Sequence, residues 1–407
     1  MRVNRRQFAG AGLGALTASL ASGQQPVKRV AAVATMYSSG VSHGKVIFGK
    51  LLEGYSPNGV FTRPRTRLVS MFTDQTPDND LSRPNAAKFG YRICDTVKDA
   101  LTLGGDDLAV DAVCFVGEHG QYPWNEREQH LYPRYELMER IVEVFRRTGK
   151  SVPVFCDKHF SYSYSKARQI YEWSRELKFP FMAGSSIPVN LRTPSVELPY
   201  DAELEGAVAL GYGGLDSYGF HTLEALQCMV ERRKGGETGI RAVEWIEGEA
   251  VWRWRAGAGA WSAPLLQAAV ACNPHTKSGR VEDNVKKPAA FVLEYRDGLR
   301  AVAYMLSGHT SWWTFAGKIK GSGEPVATHF EAVGARRTRE ASHFDGLVHC
   351  MEEMFVTGRP MYPIERTYLT TCALSLLFDS RVWRKRIETP ELNISYRSPR
   401  KAYLQQA

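Results

Sequence analysis

The chain has no apolar run of the roughly 18–20 residues that crossing a bilayer requires, so no membrane span is expected in the mature protein. It has no C-x-x-C pair, and its cysteines number seven: Cys94, Cys114, Cys156, Cys228, Cys272, Cys350 and Cys372. An odd count without metal-ligand spacing supports neither a disulfide framework nor a zinc site. Cys114 and Cys156 lie in apolar runs and read as buried thiols. No internal repeat is found, which argues against solenoids and propellers. Basic residues outnumber acidic ones, 52 to 43, for a net charge of +9. They are scattered, however, and no nucleic-acid motif accompanies them. The densest group, Arg381, Arg384, Lys385 and Arg386, suits a solvated helix end.

The composition that remains is that of a soluble globular protein, 43% hydrophobic and 23% charged. A length of 407 residues suits two domains better than one core. The first residues have a different character. Arg5-Arg6-Gln7-Phe8 precedes a mild apolar run from Ala9 to Leu20, with small residues Ser19 and Ala21 behind it. Basic, apolar, then small is the order of a secretory signal, and the arginine pair points to twin-arginine export. Residues 1–26 are therefore expected to engage the twin-arginine translocase and to place the protein in the periplasm. Losing Arg2, Arg5 and Arg6 would lower the charge to +6.

From Pro26 onward, short apolar runs alternate with helical spacing. Arg29–Thr35, Thr66–Phe72, Tyr91–Cys94, Val110–Val116, Val152–Cys156 and Phe179–Ala183 read as strands. His43–Leu52, Asn85–Phe89, Tyr132–Arg147 and Tyr164–Leu177 read as helices, the third with Leu137, Ile141, Val144 and Phe145 on one face. Such alternation predicts a doubly wound parallel sheet over 27–184. Ligands of such sheets bind beyond the carboxyl ends of the strands. The loops to inspect are Thr35–His43, Asp74, Gly117-Glu118-His119-Gly120 and Cys156-Asp157-Lys158-His159.

A proline-rich crossover, Ser185–Tyr200, marks the start of a second domain, 185–407. Its informative element is Gly213-Gly214-Leu215-Asp216-Ser217-Tyr218-Gly219-Phe220-His221-Thr222-Leu223-Glu224. Ala242–Trp254 then alternates like a strand. Ala289–Leu306 reads as a hairpin turning at Asp297-Gly298. Trp312, Trp313 and Phe315 extend an aromatic stretch that suits sheet packing or sugar stacking. Phe344–Phe355 and Leu369–Phe378 read as closing helices. This predicts an α+β domain with a large, open, mostly antiparallel sheet. Nothing in the sequence is obviously available to cover its outer face, so a homo-oligomer is expected.

Three of these segments carry a resemblance. Gly40-Val41-Ser42-His43 resembles the end of the glycine-rich loop of the glucose–fructose oxidoreductase, inositol dehydrogenase and rhizopine-catabolism (Gfo/Idh/MocA) family. The first two fingerprint glycines fall on Thr35 and Tyr37 and are missing. Asp157-Lys158-His159 resembles the family's E-K-P, and Gly213–Glu224 its G-G-x-x-x-D-x-G-x-H-x-x-D element, with Ser217 where the family has its aspartate.

The resemblance implies an NAD(P)-binding, Rossmann-like first domain and a carbohydrate-like substrate. It implies proton transfer by Lys158 and His221, with Asp216 as a group that orients His221. Ser38, Ser39, Gly40, His43, Asp74, Glu118, His119 and Asp157 would then line the NAD or NADP site, Asp74 on the adenosine ribose. Each also has a plainer reading, Asp74 as a turn residue and His221 as a core or capping histidine. The expected function is an exported NAD(P)-dependent oxidoreductase acting on a sugar, polyol or derivative. A carbohydrate-binding protein of the same fold that has lost the cofactor is the alternative.

Overall fold

A computed structural model describes residues 26–40, 42–330 and 341–400. The arginine pair and apolar run of the leader lie outside the described residues.

The first sheet is parallel. Its strands are β1 (Lys28–Met36), β2 (Thr66–Gln75), β3 (Arg92–Cys94), β4 (Ala112–Val116), β5 (Val154–Asp157) and β6 (Phe181–Gly184), in the spatial order β3-β2-β1-β4-β5-β6. The order reverses beside β1, which creates the crevice where doubly wound sheets take ligands. Val30 to Ala34 are wholly buried, as expected for a strand covered on both faces. Helices α1 (His43–Glu53), α2 (Ser82–Phe89), α3 (Val97–Thr102), α4 (Arg134–Thr148) and α5 (Tyr164–Glu176) connect the strands.

The second unit holds β7 (Arg192–Thr193), β8 (Leu204–Gly211), α6 (Ser217–Val230), β9 (Ile240–Glu247), α7 (Glu249–Ala256), α8 (Ala263–Cys272), α9 (Val281–Asn284), β10 (Ala289–Tyr295), β11 (Arg300–Met305), β12 (Trp313–Ile319), β13 (Val326–Phe330), α10 (Asp345–Thr357), α11 (Ile364–Trp383) and β14 (Ile387–Glu388). The strands form one sheet in the order β14-β9-β10-β11-β8-β12-β13-β7. Only β8 and β11 pair in parallel; the other pairings are antiparallel.

Two expectations change. Ala242–Trp254 is not one strand. Gly248 takes φ 63° and ends β9, and Trp252 and Trp254 belong to α7. Glu249 in the first turn and Arg253 and Arg255 in the last suit the helix dipole. The second sheet also has no bare outer face. Val251 of α7 and Leu265, Leu266 and Ala269 of α8 bury against Val208, Val292, Val302 and Tyr304. The argument for self-association from an uncovered sheet is thereby removed.

Chain order and packing part company at α10. It follows the second sheet in sequence, yet Leu347, Val348, Met351 and Phe355 join Val30, Ala32 and Met71 in the core of the first. Buried Glu352 fixes it there, accepting from Tyr55 Oη (2.7 Å), the Thr66 amide (3.0 Å) and Thr66 Oγ1 (2.6 Å). Helix α11 bridges both units, and Thr367 Oγ1 donates to the Ala183 carbonyl at 2.8 Å. No described helix is long and apolar enough to cross a membrane.

Candidate active site

A cavity of about 770 Å³ opens between the two sheets. The ends of β4 and β5 supply its polar floor. Glu118 and Lys158 are both buried, with Lys158 Nζ 3.2 Å from Glu118 Oε1. The first turn of α4 adds Arg134, which pairs with Glu118 Oε2 and reaches His159 Nε2 at 3.2 Å. Burial alone would raise the Glu118 carboxyl, but the Lys158 and Arg134 cations outweigh it and hold the group well below the usual range. Lys158 and His119 both adopt left-handed backbone, φ 65° and 69°. Non-glycine residues rarely do so, and such strain collects at functional sites.

The opposite wall comes from α6. His221 lines the cavity, and its Nδ1 is held by Ser185 Oγ at 2.6 Å. That leaves Nε2 for a ligand. Burial, aided by the Lys158 charge, keeps His221 well below its ordinary pKa, so the ring is neutral. Asp216 lines the same cavity but does not orient His221. It precedes α6 without a side-chain capping bond, and its carboxylate accepts from the His130 amide at 3.1 Å and lies 4.0 Å from His159 Nε2. Ser185, at the end of β6, holds the imidazole instead. Burial raises the Asp216 carboxyl to about 6. Asp216 Oδ1 and His159 Nδ1 are buried without a hydrogen-bond partner. Both residues line the cavity, but these two atoms are shielded from its open space.

Helix α1 delivers Gly40, Ser42, His43 and Lys45 to the rim. His43 Nδ1 is 2.6 Å from Asp157 Oδ2, and its ring packs against His119 and Phe344 at 5.3 and 5.0 Å. The second unit contributes an aromatic wall: Tyr212 after β8, Tyr218 of α6, and Trp312 and Trp313 at the start of β12. Trp313 is fixed by its Nε1 donating to Thr222 Oγ1 at 3.1 Å, and Tyr218 stacks on it at 5.6 Å. No group of three or more His, Cys, Asp or Glu among the described residues is arranged to hold a metal.

The two ends of the crevice differ in their fit to a dinucleotide. The end holding Glu118, Lys158 and His221 sets a few charged and polar groups in a largely apolar cavity, which reaches the α1 N-terminus, where a phosphate is favoured. These residues fit a nicotinamide, its ribose and a phosphate. The adenosine end is taken up by the chain itself. Tyr37, at the second fingerprint position, is buried against Phe48 and accepts from Asn85 at 2.6 Å. Thr35, at the first, donates to the Glu118 carbonyl at 2.9 Å. Residues after β2 cross back over the loop, with Ser39 N to Asn79 O at 2.9 Å and Leu81 N to Tyr37 O at 2.8 Å.

Asp74 accepts from Tyr122 Oη at 2.7 Å, so its expected contact is a tyrosine of the same chain. Ser38, Ser39 and Asp74 lie outside the cavity lining, whereas Gly40, His43, Glu118, His119, Lys158, Asp216 and His221 converge on it. Asp157 acts through His43. The sequence reading missed Arg134, His159, Ser185 and the pair His130 and Trp124, whose rings stack at 4.3 Å on the rim.

Burial also lowers His119 to about 4, so it is neutral in the fold but charges in the unfolded chain below about 6.5. The unfolded state then binds more protons, and stability falls as pH drops from about 6.5 towards 4. His119→Gln should lose less stability over that window than the parent in urea titrations. Equal losses would show that His119 does not contribute to the acid sensitivity.

No protein-family model and no curated protein matches the chain. Solved structures match over most of it. GenD2 from gentamicin A biosynthesis, solved with NAD, has 15% identity over 89% of this chain and 96% of its own, with a TM-score of 0.56. Myo-inositol 2-dehydrogenase from Lactobacillus plantarum has 10% identity over 89% and 99%, TM-score 0.54. An oxidoreductase from Agrobacterium radiobacter, solved with NAD+, L-tartaric acid and magnesium, has 10% over 89% and 98%, TM-score 0.56. The chain thus shares the fold of these solved structures, a parallel sheet with the cleft at its switch point joined to a mostly antiparallel sheet, as the sequence resemblance had implied.

Proposed function

We propose that this chain is an exported oxidoreductase that moves a hydride between NAD or NADP and a hydroxyl-bearing carbon of a sugar, polyol or derivative. The observation that carries the proposal is the meeting of Lys158 and His221, from different units, in one 770 Å³ cleft. NAD-bound structures of the same fold support it. When bound, the nicotinamide supplies the hydride acceptor or donor. Gly40, Ser42, His43 and Lys45 would hold its phosphate side, and Glu118 and His119 would border the ring. Lys158 Nζ, anchored by Glu118, donates a hydrogen bond to the substrate hydroxyl. His221, neutral and held at Nδ1 by Ser185, takes that hydroxyl's proton at Nε2 as the alcohol becomes a carbonyl. In the reverse direction the same nitrogen returns it. Tyr212, Tyr218, Trp312 and Trp313 offer flat faces to the C–H side of a sugar ring.

The test is a screen of polyols and sugars with NAD+ and NADP+, read by absorbance of the reduced nicotinamide. Turnover with at least one supports the reading. Sugar binding without turnover with either cofactor would replace it with the non-redox, carbohydrate-binding alternative.

Export belongs to the same proposal and rests on Arg5-Arg6-Gln7-Phe8. Arg5→Lys combined with Arg6→Lys should trap the precursor in the cytoplasm on cell fractionation. Unchanged export of that variant would contradict it.

A further inference from the structure

We infer that the cleft grips a nicotinamide cofactor by its nicotinamide mononucleotide half alone and gives the adenosine half no pocket. This rests on the proposed cofactor use and narrows it. In an ordinary doubly wound site, two glycines let the backbone approach the pyrophosphate, and an acid ending the second strand takes the adenosine ribose. Here the two glycine positions hold Thr35 and Tyr37, both buried and bonded within the protein, and the acid, Asp74, is exposed with one carboxylate oxygen bonded to Tyr122. The loop after β1 carries Tyr37 turned into the core, where Asn85 and Phe48 hold it.

The segment after β2 is stitched on both sides. Towards β1, Ser39 N and Leu81 N pair with Asn79 O and Tyr37 O at 2.9 and 2.8 Å. Towards β4, the Gln75 side chain accepts from the Gln121 amide at 2.8 Å and donates to the Gln121 carbonyl at 3.0 Å. Tyr122 Oη closes on Asp74 at 2.7 Å. These five bonds tie together the carboxyl ends of the first, second and fourth strands, the last three at exposed positions.

The other half is built to receive something. The cavity includes the α1 N-terminus, Glu118, Lys158 and His221, yet none of Ser38, Ser39, Asp74 or Gln75. A cofactor seated here keeps its nicotinamide, ribose and first phosphate in contact and leaves its adenosine in solvent. The 2′-phosphate that distinguishes NADP from NAD then meets no reader.

Fluorescence titration of the full chain tests this without any turnover. Trp312 and Trp313 line the cleft and can transfer excitation to a reduced nicotinamide. We expect reduced nicotinamide mononucleotide, NADH and NADPH to bind with dissociation constants within about tenfold of one another. ADP-ribose at millimolar concentration should not displace NADH. NADH binding a hundredfold or more tighter than the mononucleotide, or displacement by ADP-ribose, would overturn the inference and leave the oxidoreductase reading standing. If neither NADH nor the mononucleotide binds, the cofactor reading itself fails and the inference with it.

Discussion

Lys158→Met and His221→Ala should each lower turnover by ~10²–10⁴-fold, the range of a positioned acid–base group. In the proposed reaction both side chains would act on one hydroxyl; each lines the cavity, one anchored by Glu118 at 3.2 Å and the other by Ser185 at 2.6 Å. Because both serve the same proton transfer, the double variant should lose less than the product of the single losses. Met keeps the length and apolar stem of Lys158, and Arg134 remains to balance Glu118, so cofactor affinity and folding should change little. Steady-state kinetics on a substrate from the screen, with near-ultraviolet circular dichroism as the folding control, decides the matter. Full turnover in both single variants would remove Lys158 and His221 from the reaction centre.

Arg134→Met should destabilise the protein by ~3–5 kcal/mol, because it breaks a buried ion pair and also removes the bond to His159 and the packing on Tyr132. Arg134 is buried, paired with Glu118, bonded to His159 at 3.2 Å and stacked over Tyr132 at 4.8 Å. Its loss leaves Glu118 with Lys158 alone. Adding Glu118→Gln would leave buried Lys158 without its anion, so the double variant should recover none of the loss. Urea denaturation of the four proteins in this cycle measures the coupling. A single variant within about 1 kcal/mol of the parent would show that the cluster does not hold the cleft floor together.

The element order was legible because period and punctuation agree in the first half. Val30 to Ala34 form a short apolar run, and Leu137, Ile141 and Val144 mark a single face. Arg134 was legible too, in retrospect. It stands three residues before Leu137, in register with that buried stripe, and an arginine there has to find an anion. What escaped the sequence reading depends on which surface a segment meets. Trp252 and Trp254 alternate as in a strand, and only the turn at Gly248 makes them helical. Leu265, Leu266 and Ala269 show an apolar helix, but not that it covers the far side of the second sheet.

The candidate site divides in the same way. Lys158 and His221 follow from a strand end and a helix start, so their convergence follows from topology. Asp74 also ends a strand, yet Tyr122, far along the chain, reaches its carboxylate. Ser185 was passed over because its partnership with His221 depends on how β6 meets α6. Tyr37 gave a clear signal that a glycine was missing. Its inward packing against Phe48 is a tertiary fact.

The central claim is that hydride passes between a substrate carbon and a nicotinamide in this cleft. Isotope transfer tests it most directly. A polyol found in the screen is prepared with deuterium on the carbinol carbon and incubated with the enzyme and NAD+ or NADP+. Mass spectrometry then weighs the recovered reduced cofactor. The account predicts one deuterium per reduced nicotinamide in every protein, with the amount of labelled cofactor falling in the His221→Ala and Lys158→Met variants in proportion to turnover. Product formed with no label in the nicotinamide would contradict it.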